Sequence, residues 1–231
     1  MKNERRDNIS YEPQDRRIGV FLCAVLGLFF LATVVWAEGD VFDHPLRPDT
    51  RAAFEMTSAR LSEHSIVKGN FEQEKILSRL GRSLRSSGDF IIASELGMVW
   101  DTIRPFPSTL VLGRDYFVQS RPGGQRTVLS AAGNETFLGM ADVISAVFSG
   151  NIRRLLENFE VFYSGSPSAW ELGLLPSNRA IAAFAGRVVM KGDVSIKSIV
   201  VNEHNGDSIV YILSNQSFPP ELTIHERAFF Q

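Results

Sequence analysis

Between residues 66 and 112, apolar and polar side chains alternate with a period of two in one segment after another. That alternation constrains the fold more than any other feature of the chain. In I-V-K-G-N-F-E-Q-E-K-I-L, Val67, Gly69, Phe71 and Gln73 fall on one side, and Lys68, Asn70, Glu72 and Glu74 on the other. A repeat of two describes a strand with one wet face and one apolar face. Leu84, Ser86, Gly88, Phe90 and Ile92 repeat the pattern, and so do Leu96, Met98 and Trp100 after a turn at 94–96. Pro105 and Pro107 break the run, and 108–112 resumes it. The pattern predicts about four short antiparallel strands in succession, several aiming large apolar side chains at one side.

The flanks extend this into a domain. Residues 38–48 read as an irregular lead-in, and Asp49 as the N-cap of a helix over 50–63 with Ala53, Phe54, Met56 and Leu61 as its apolar side. Such a helix would cover a sheet face. A hairpin is expected over 114–120 and 125–130, around Pro122-Gly123-Gly124. Met140, Ile144 and Phe148 sit at helical spacing within 135–149, and a second short helix follows over 152–159. Strands return at 161–163 and 169–175, then a short helical or loop piece at 177–184. A final meander is expected over 187–190, 194–201, 208–213 and 222–229, with Asn205-Gly206 as its strongest turn signal. Roughly ten strands with a helical insertion suggest an α+β domain whose large antiparallel sheet curls toward a barrel.

The N-terminal residues are of a different kind. Arg16 and Arg17 precede an uncharged apolar run over 18–36, and Val35-Trp36-Ala37 then leads into Glu38-Gly39-Asp40. This describes an export signal over 1–37, cleaved after Ala37, with an uncleaved membrane anchor as the alternative. Either places residues 38–231 outside the cytoplasm, and the periplasm is the expected location. The single cysteine of the chain, Cys23, lies within that run, so the exported part has no disulfide or thiol chemistry. Roughly 190 residues remain, enough for one packed domain. A formal charge of −2 predicts no strong pull toward nucleic acid or anionic lipid.

Catalytic signals are missing. His44, His64, His204 and His225 have no ligand spacing, so no metal is expected. No nucleophile elbow, phosphate-binding glycine loop or dinucleotide fingerprint occurs, so neither cofactor nor enzymatic activity is expected. Asp89 and Asp101 lie on strand faces with nothing in the sequence to pair them as acid and base. A curled sheet rich in phenylalanine, with 17 in the chain, instead suggests a container for apolar groups. Acyl chains need apolar area more than convergent polar groups.

Several segments resemble one family. Val67-x-Gly69-x-Phe71-x-Gln73, Ser87-Gly88-Asp89-Phe90, Trp100 with Arg104-Pro105-Phe106, and Thr109-Leu110-Val111 look like the periplasmic outer-membrane lipoprotein carriers of the LolA type. Trp170-x-Leu172-x-Leu174-x-Pro176 and the meander over 187–213 resemble that family's later strands, so the likeness spans roughly 50–231. It implies an unclosed half-barrel with helices over its concave face and a hydrophobic cavity between them. It also implies a carrier that takes acylated lipoprotein or lipid from an inner-membrane exporter to an outer-membrane acceptor, and a monomer is the expected state. The residues expected to line that cavity are Val67, Phe71, Phe90, Ile92, Met98, Trp100, Met140, Ile144 and Phe148. One departure is Ser94, which stands where well-known members carry a lid-locking arginine, and it marks a divergent branch. The competing reading is a membrane-anchored, non-catalytic structural or sensor domain of the envelope, its interior filled by its own side chains.

Overall fold

The sheet follows from the alternation, and its strand order explains how it stays open. The computed structural model describes residues 39–113, 116–124, 126–130, 152–177, 179–182 and 186–231. The first meander consists of β1 (Ile66–Leu77), β2 (Arg82–Ala93), β3 (Gly97–Arg104), β4 (Ser108–Leu112), β5 (Tyr116–Ser120) and β6 (Thr127–Ser130). The second consists of β7 (Phe159–Ser166), β8 (Ala169–Pro176), β9 (Arg187–Gly192), β10 (Ile196–Asn202) and β11 (Ser208–Ser217). All eleven strands form one sheet in the order β6-β5-β4-β3-β2-β1-β11-β10-β9-β8-β7. Every pairing is antiparallel. β1 and β11 join the two meanders at the centre, while β6 and β7 are edges that do not pair with each other, so the half-barrel is unclosed.

Two neighbouring irregularities bend the central strands. The β1–β11 register shifts between Lys68 and Asn70, and the β2–β3 register shifts between Ser87 and Gly88. Bulges of this kind increase local twist and curvature. A Cβ on Gly88 would lie 1.9 Å from the Asp101 carbonyl oxygen, and one on Gly69 would lie 2.9 Å from the Phe90 ring. These two glycines therefore let backbone and an aromatic ring approach where the sheet curves.

Helix α1 (Pro48–Ser62) covers the concave face. Its start differs from expectation. Pro48 occupies the first turn, Arg47 is the N-cap, and Thr50 Oγ1 accepts the Arg47 backbone N–H at 3.0 Å. Asp49 instead lies in the first turn, where a carboxylate complements the helix dipole. Phe54 packs under the helix, with Ala53 and Leu61 beside it, but Met56 is exposed because it falls on the outward side. α2 (Ile152–Asn158) adds Leu155 to the same core, and α3 (Arg179–Ala182) adds Ile181. The lead-in is better ordered than expected: Val41 is buried, and Pro45 bridges to Phe162.

Two expectations fail on the opposite face. The outer face of β2 to β5 is not wet: Ile91, Ala93, Val99, Val111 and Val118 form a second buried cluster with Ile66 and Leu222. The runs F-I-I-A, M-V-W and L-V-L had already lost alternation there, as strands buried on both sides do. The cover is the C-terminal segment, expected to be a strand over 222–229 but folded as α4 (Ile224–Ala228). Thr223 Oγ1 accepts the Glu226 N–H at 3.2 Å, and Glu226 Oε2 accepts the Thr223 N–H at 2.8 Å. This capping box starts a helix where Pro219 and Pro220 have ended the sheet. Among the described residues no helix is long and apolar enough to cross a membrane. The expected export segment 1–37 and the expected helix 135–149 lie outside the described residues.

Candidate functional site

Strand register brings six of the expected residues onto one face. Val67 pairs with Ile92, Ile92 with Met98, Phe90 with Trp100, and Phe71 lies beside Leu213 of β11. All six belong to the concave-face cluster. Phe71 stacks on Trp100 with ring centroids 4.0 Å apart, Phe90 lies 5.9 Å from Trp100, and Tyr211 meets Trp100 edge-on at 5.5 Å. Phe71 and Phe90 are each only 1% exposed. Val67 and Trp100 are half-buried, as are Phe117, Ile199 and Val201 on the same face. Burial pushes the Tyr211 phenol up to about 12, with Glu203 adding to the effect, so it is a neutral donor at the wall. Met140, Ile144 and Phe148 lie outside the described residues.

The two halves of the concave face differ. Over β7 to β9, α1 and α2 close down tightly. The cavity among Phe54, Thr57, Leu155, Tyr163, Trp170 and Met190 is about 10 Å³, close to one water. Thr57 and Tyr163 share a buried hydrogen bond of 2.8 Å, and Trp170 Nε1 donates to the Asp193 carbonyl at 2.7 Å. Burial raises the Tyr163 phenol above its ordinary range. Among the described residues no buried side-chain nitrogen or oxygen lacks a partner. At this point, among the described residues, the protein's own side chains leave room for little more than one water. Tyr163, Trp170, Leu172 and Met190 were not among the expected lining residues. Their spacing of two, as Val161 and Tyr163, Trp170, Leu172 and Leu174, and Val188 and Met190, was the available signal.

A second depression, of about 410 Å³, lies on the outer face beside α4. Its polar lining includes Lys68, Asn70, Asp89, Asp101, Asn215 and His225. Asp89 and Asp101 turn out to be register partners across β2 and β3. Asn70 Nδ2 donates to Asp89 at 2.5 Å, and Thr109 Oγ1 donates to Asp101 at 2.6 Å. Among the described residues no group of three or more His, Cys, Asp or Glu could hold a metal. The two carboxylates are thus held by neutral donors in an open, polar groove.

No protein-family model matches the sequence, and no curated protein matches it. Solved structures resemble the fold. A LolA superfamily protein from Nitrosomonas europaea aligns with a TM-score of 0.45 and 10% identity, covering 79% of this chain and 97% of that one. A lipoprotein-sorting protein domain from Vibrio parahaemolyticus gives 0.41 and 10%, covering 79% and 100%. The lipoprotein LppX of Mycobacterium tuberculosis gives 0.44 and 10%, covering 77% and 100%. At these identities and scores the likeness is one of outline, and nothing about ligand or partner follows from it. The unclosed eleven-stranded sheet stands on its own strand register.

Proposed function

We propose that the chain is a non-catalytic carrier of the periplasm that holds acyl chains of a lipid or lipoprotein against the β1–β3 half of its concave face. The observation that carries this reading is the aromatic wall of Phe71, Trp100 and Phe90, whose central member is half-buried although its partners are packed. Apolar surface left partly exposed on a curved wall gains roughly 25 cal/mol per Å² when a hydrocarbon tail covers it. Val67, Trp100 and Ile199 supply such surface, while Phe71, Phe90, Ile92 and Met98 support it from within the core. The resemblance in sequence adds lipoprotein as the class of cargo, and an exporter and acceptor at the two membranes as partners. A monomer suffices for this role.

A second reading has its own observation. Among the described residues, the cavity between α1, α2 and β7 to β9 holds little more than one water, as in a purely structural or sensor domain of the envelope. Native mass spectrometry of the protein purified from its envelope fraction separates the two. The carrier reading expects bound lipid, lost in Val67→Gln with Trp100→Gln while the thermal melt stays cooperative. A native protein that carries no lipid, and takes up none from added lysolipid, overturns it.

A further inference from the structure

We propose that one end of the sheet, made of the β1–β2 hairpin and the β3–β4 and β5–β6 turns, docks on an anionic bilayer surface. Strand alternation puts these three turns at the same end, because β1, β3 and β5 run toward it and β2, β4 and β6 run away. β2 pairs with β3 no further than Ser87, so residues 82–86 carry the hairpin beyond its neighbour. Two features coincide on these tips.

The first is exposed apolar bulk. Phe106 is 81% exposed and Leu80 is 68% exposed, with Leu84 and Ile103 exposed beside them. The second is charge. Residues 78–85, 103–107 and 121–126 hold six arginines and no aspartate or glutamate. Arg79, Arg82, Arg104 and Arg121 are exposed, and none has an ion-pair partner among the described residues. Of the acids nearest these tips, Glu74 pairs with Arg85 at 3.2 Å and Glu203 with Lys75 at 2.8 Å, while Asp207 accepts the Ser78 N–H at 3.0 Å. An open notch of about 570 Å³ lies between hairpin and turn, with Arg85, Arg104 and Pro105 on its wall together with Glu72 and Glu74.

Large exposed apolar side chains on turns at one end, with unpaired Arg79, Arg82, Arg104 and Arg121 among them, match the headgroup boundary of a membrane. The rings and branches enter the acyl edge while guanidinium groups bind phosphate. Each basic residue near an anionic surface adds attraction that falls off within a Debye length. The surface stands whether or not the concave face takes a guest.

The test uses the full chain with Cys23→Ser and an environment-sensitive fluorophore at Ser83→Cys. A control carries the label at Glu95→Cys, in the β2–β3 turn at the opposite end. Vesicles of phosphatidylcholine with phosphatidylglycerol should shift the label at position 83 to the blue. Vesicles of phosphatidylcholine alone should not, and the label at position 95 should stay unchanged. Arg79→Ala, Arg82→Ala and Arg104→Ala combined should weaken the response on the order of a hundredfold, and high salt should abolish it. A cooperative melt of that variant excludes unfolding, since these side chains are exposed. A silent label at 83, an equal shift with neutral vesicles, or an equal shift at 95 through the apolar run 18–36 overturns the proposal. So does binding to an acidic protein surface without any response to anionic vesicles.

Discussion

Lys68 and Glu226 show how a single contact fastens the C-terminal segment to the sheet. Lys68 Nζ donates to Glu226 Oε1, and Thr223 supplies further donors. The Lys68 hydrogen bond leads in holding the Glu226 carboxyl down from 4.5 to about 2. Because the folded value is depressed, the contribution is fully present above the unfolded value near 4.5. It is lost as pH falls toward about 2, where the folded carboxyl also takes up a proton. Urea unfolding of the native chain and of Glu226→Gln should therefore differ at neutral pH, with the variant less stable. The gap should close as pH falls through that window. A gap that persists at the acid end would assign the loss to packing. The T-x-x-E signal that builds this contact is visible in the sequence, yet the apolar residues of 222–229 also fit a strand. Periodicity over eight residues cannot separate a short helix from a strand, and the cap decides.

At the level of elements, the C-terminal segment acts as a strap over the outer face. Leu222, Phe229 and Phe230 pack against Ile91, Val99, Val111 and Val118. Tyr116 Oη donates to the Phe230 carbonyl at 2.8 Å, and His64 stacks on Phe218 at 4.0 Å. Deleting 218–231 should leave the concave core intact and uncover a contiguous apolar face. The expected outcome is a folded far-ultraviolet circular dichroism spectrum with increased binding of a hydrophobic dye and a tendency to self-associate. An unchanged dye signal would show that the strap covers nothing essential. Most strands were legible in advance, because period-two alternation survives wherever one face meets water. Legibility ended where both faces are buried, at Ile91, Ala93 and Val99, since there the polar half of the pattern disappears.

For the whole molecule, the pairing of β1 with β11 matters most. It joins Phe71 to Leu213 across the chain and makes one sheet from two meanders. A chain ending at Ser130 keeps β1 to β6 but loses β11, α2 and the β7–β9 half of the core. It should show no cooperative thermal unfolding, because Phe71 and Phe90 would lose much of the cluster that buries them. A sharp transition in that fragment would show two independent units.

The alternation of side chains by itself determined that strands form, which of their faces is greasy, and that the domain is α+β. These are local consequences of a backbone that turns its side chains over at every residue. Only the tertiary structure decided that Phe54, Leu155, Tyr163, Trp170 and Met190 close on a cavity of about 10 Å³ beneath α1, and that Asp89 and Asp101 face each other across two strands. It also decided that arginines scattered between positions 79 and 126 meet at one end of a chain whose net charge is −2. Charge and volume add up in space, and composition records only their sums along the chain.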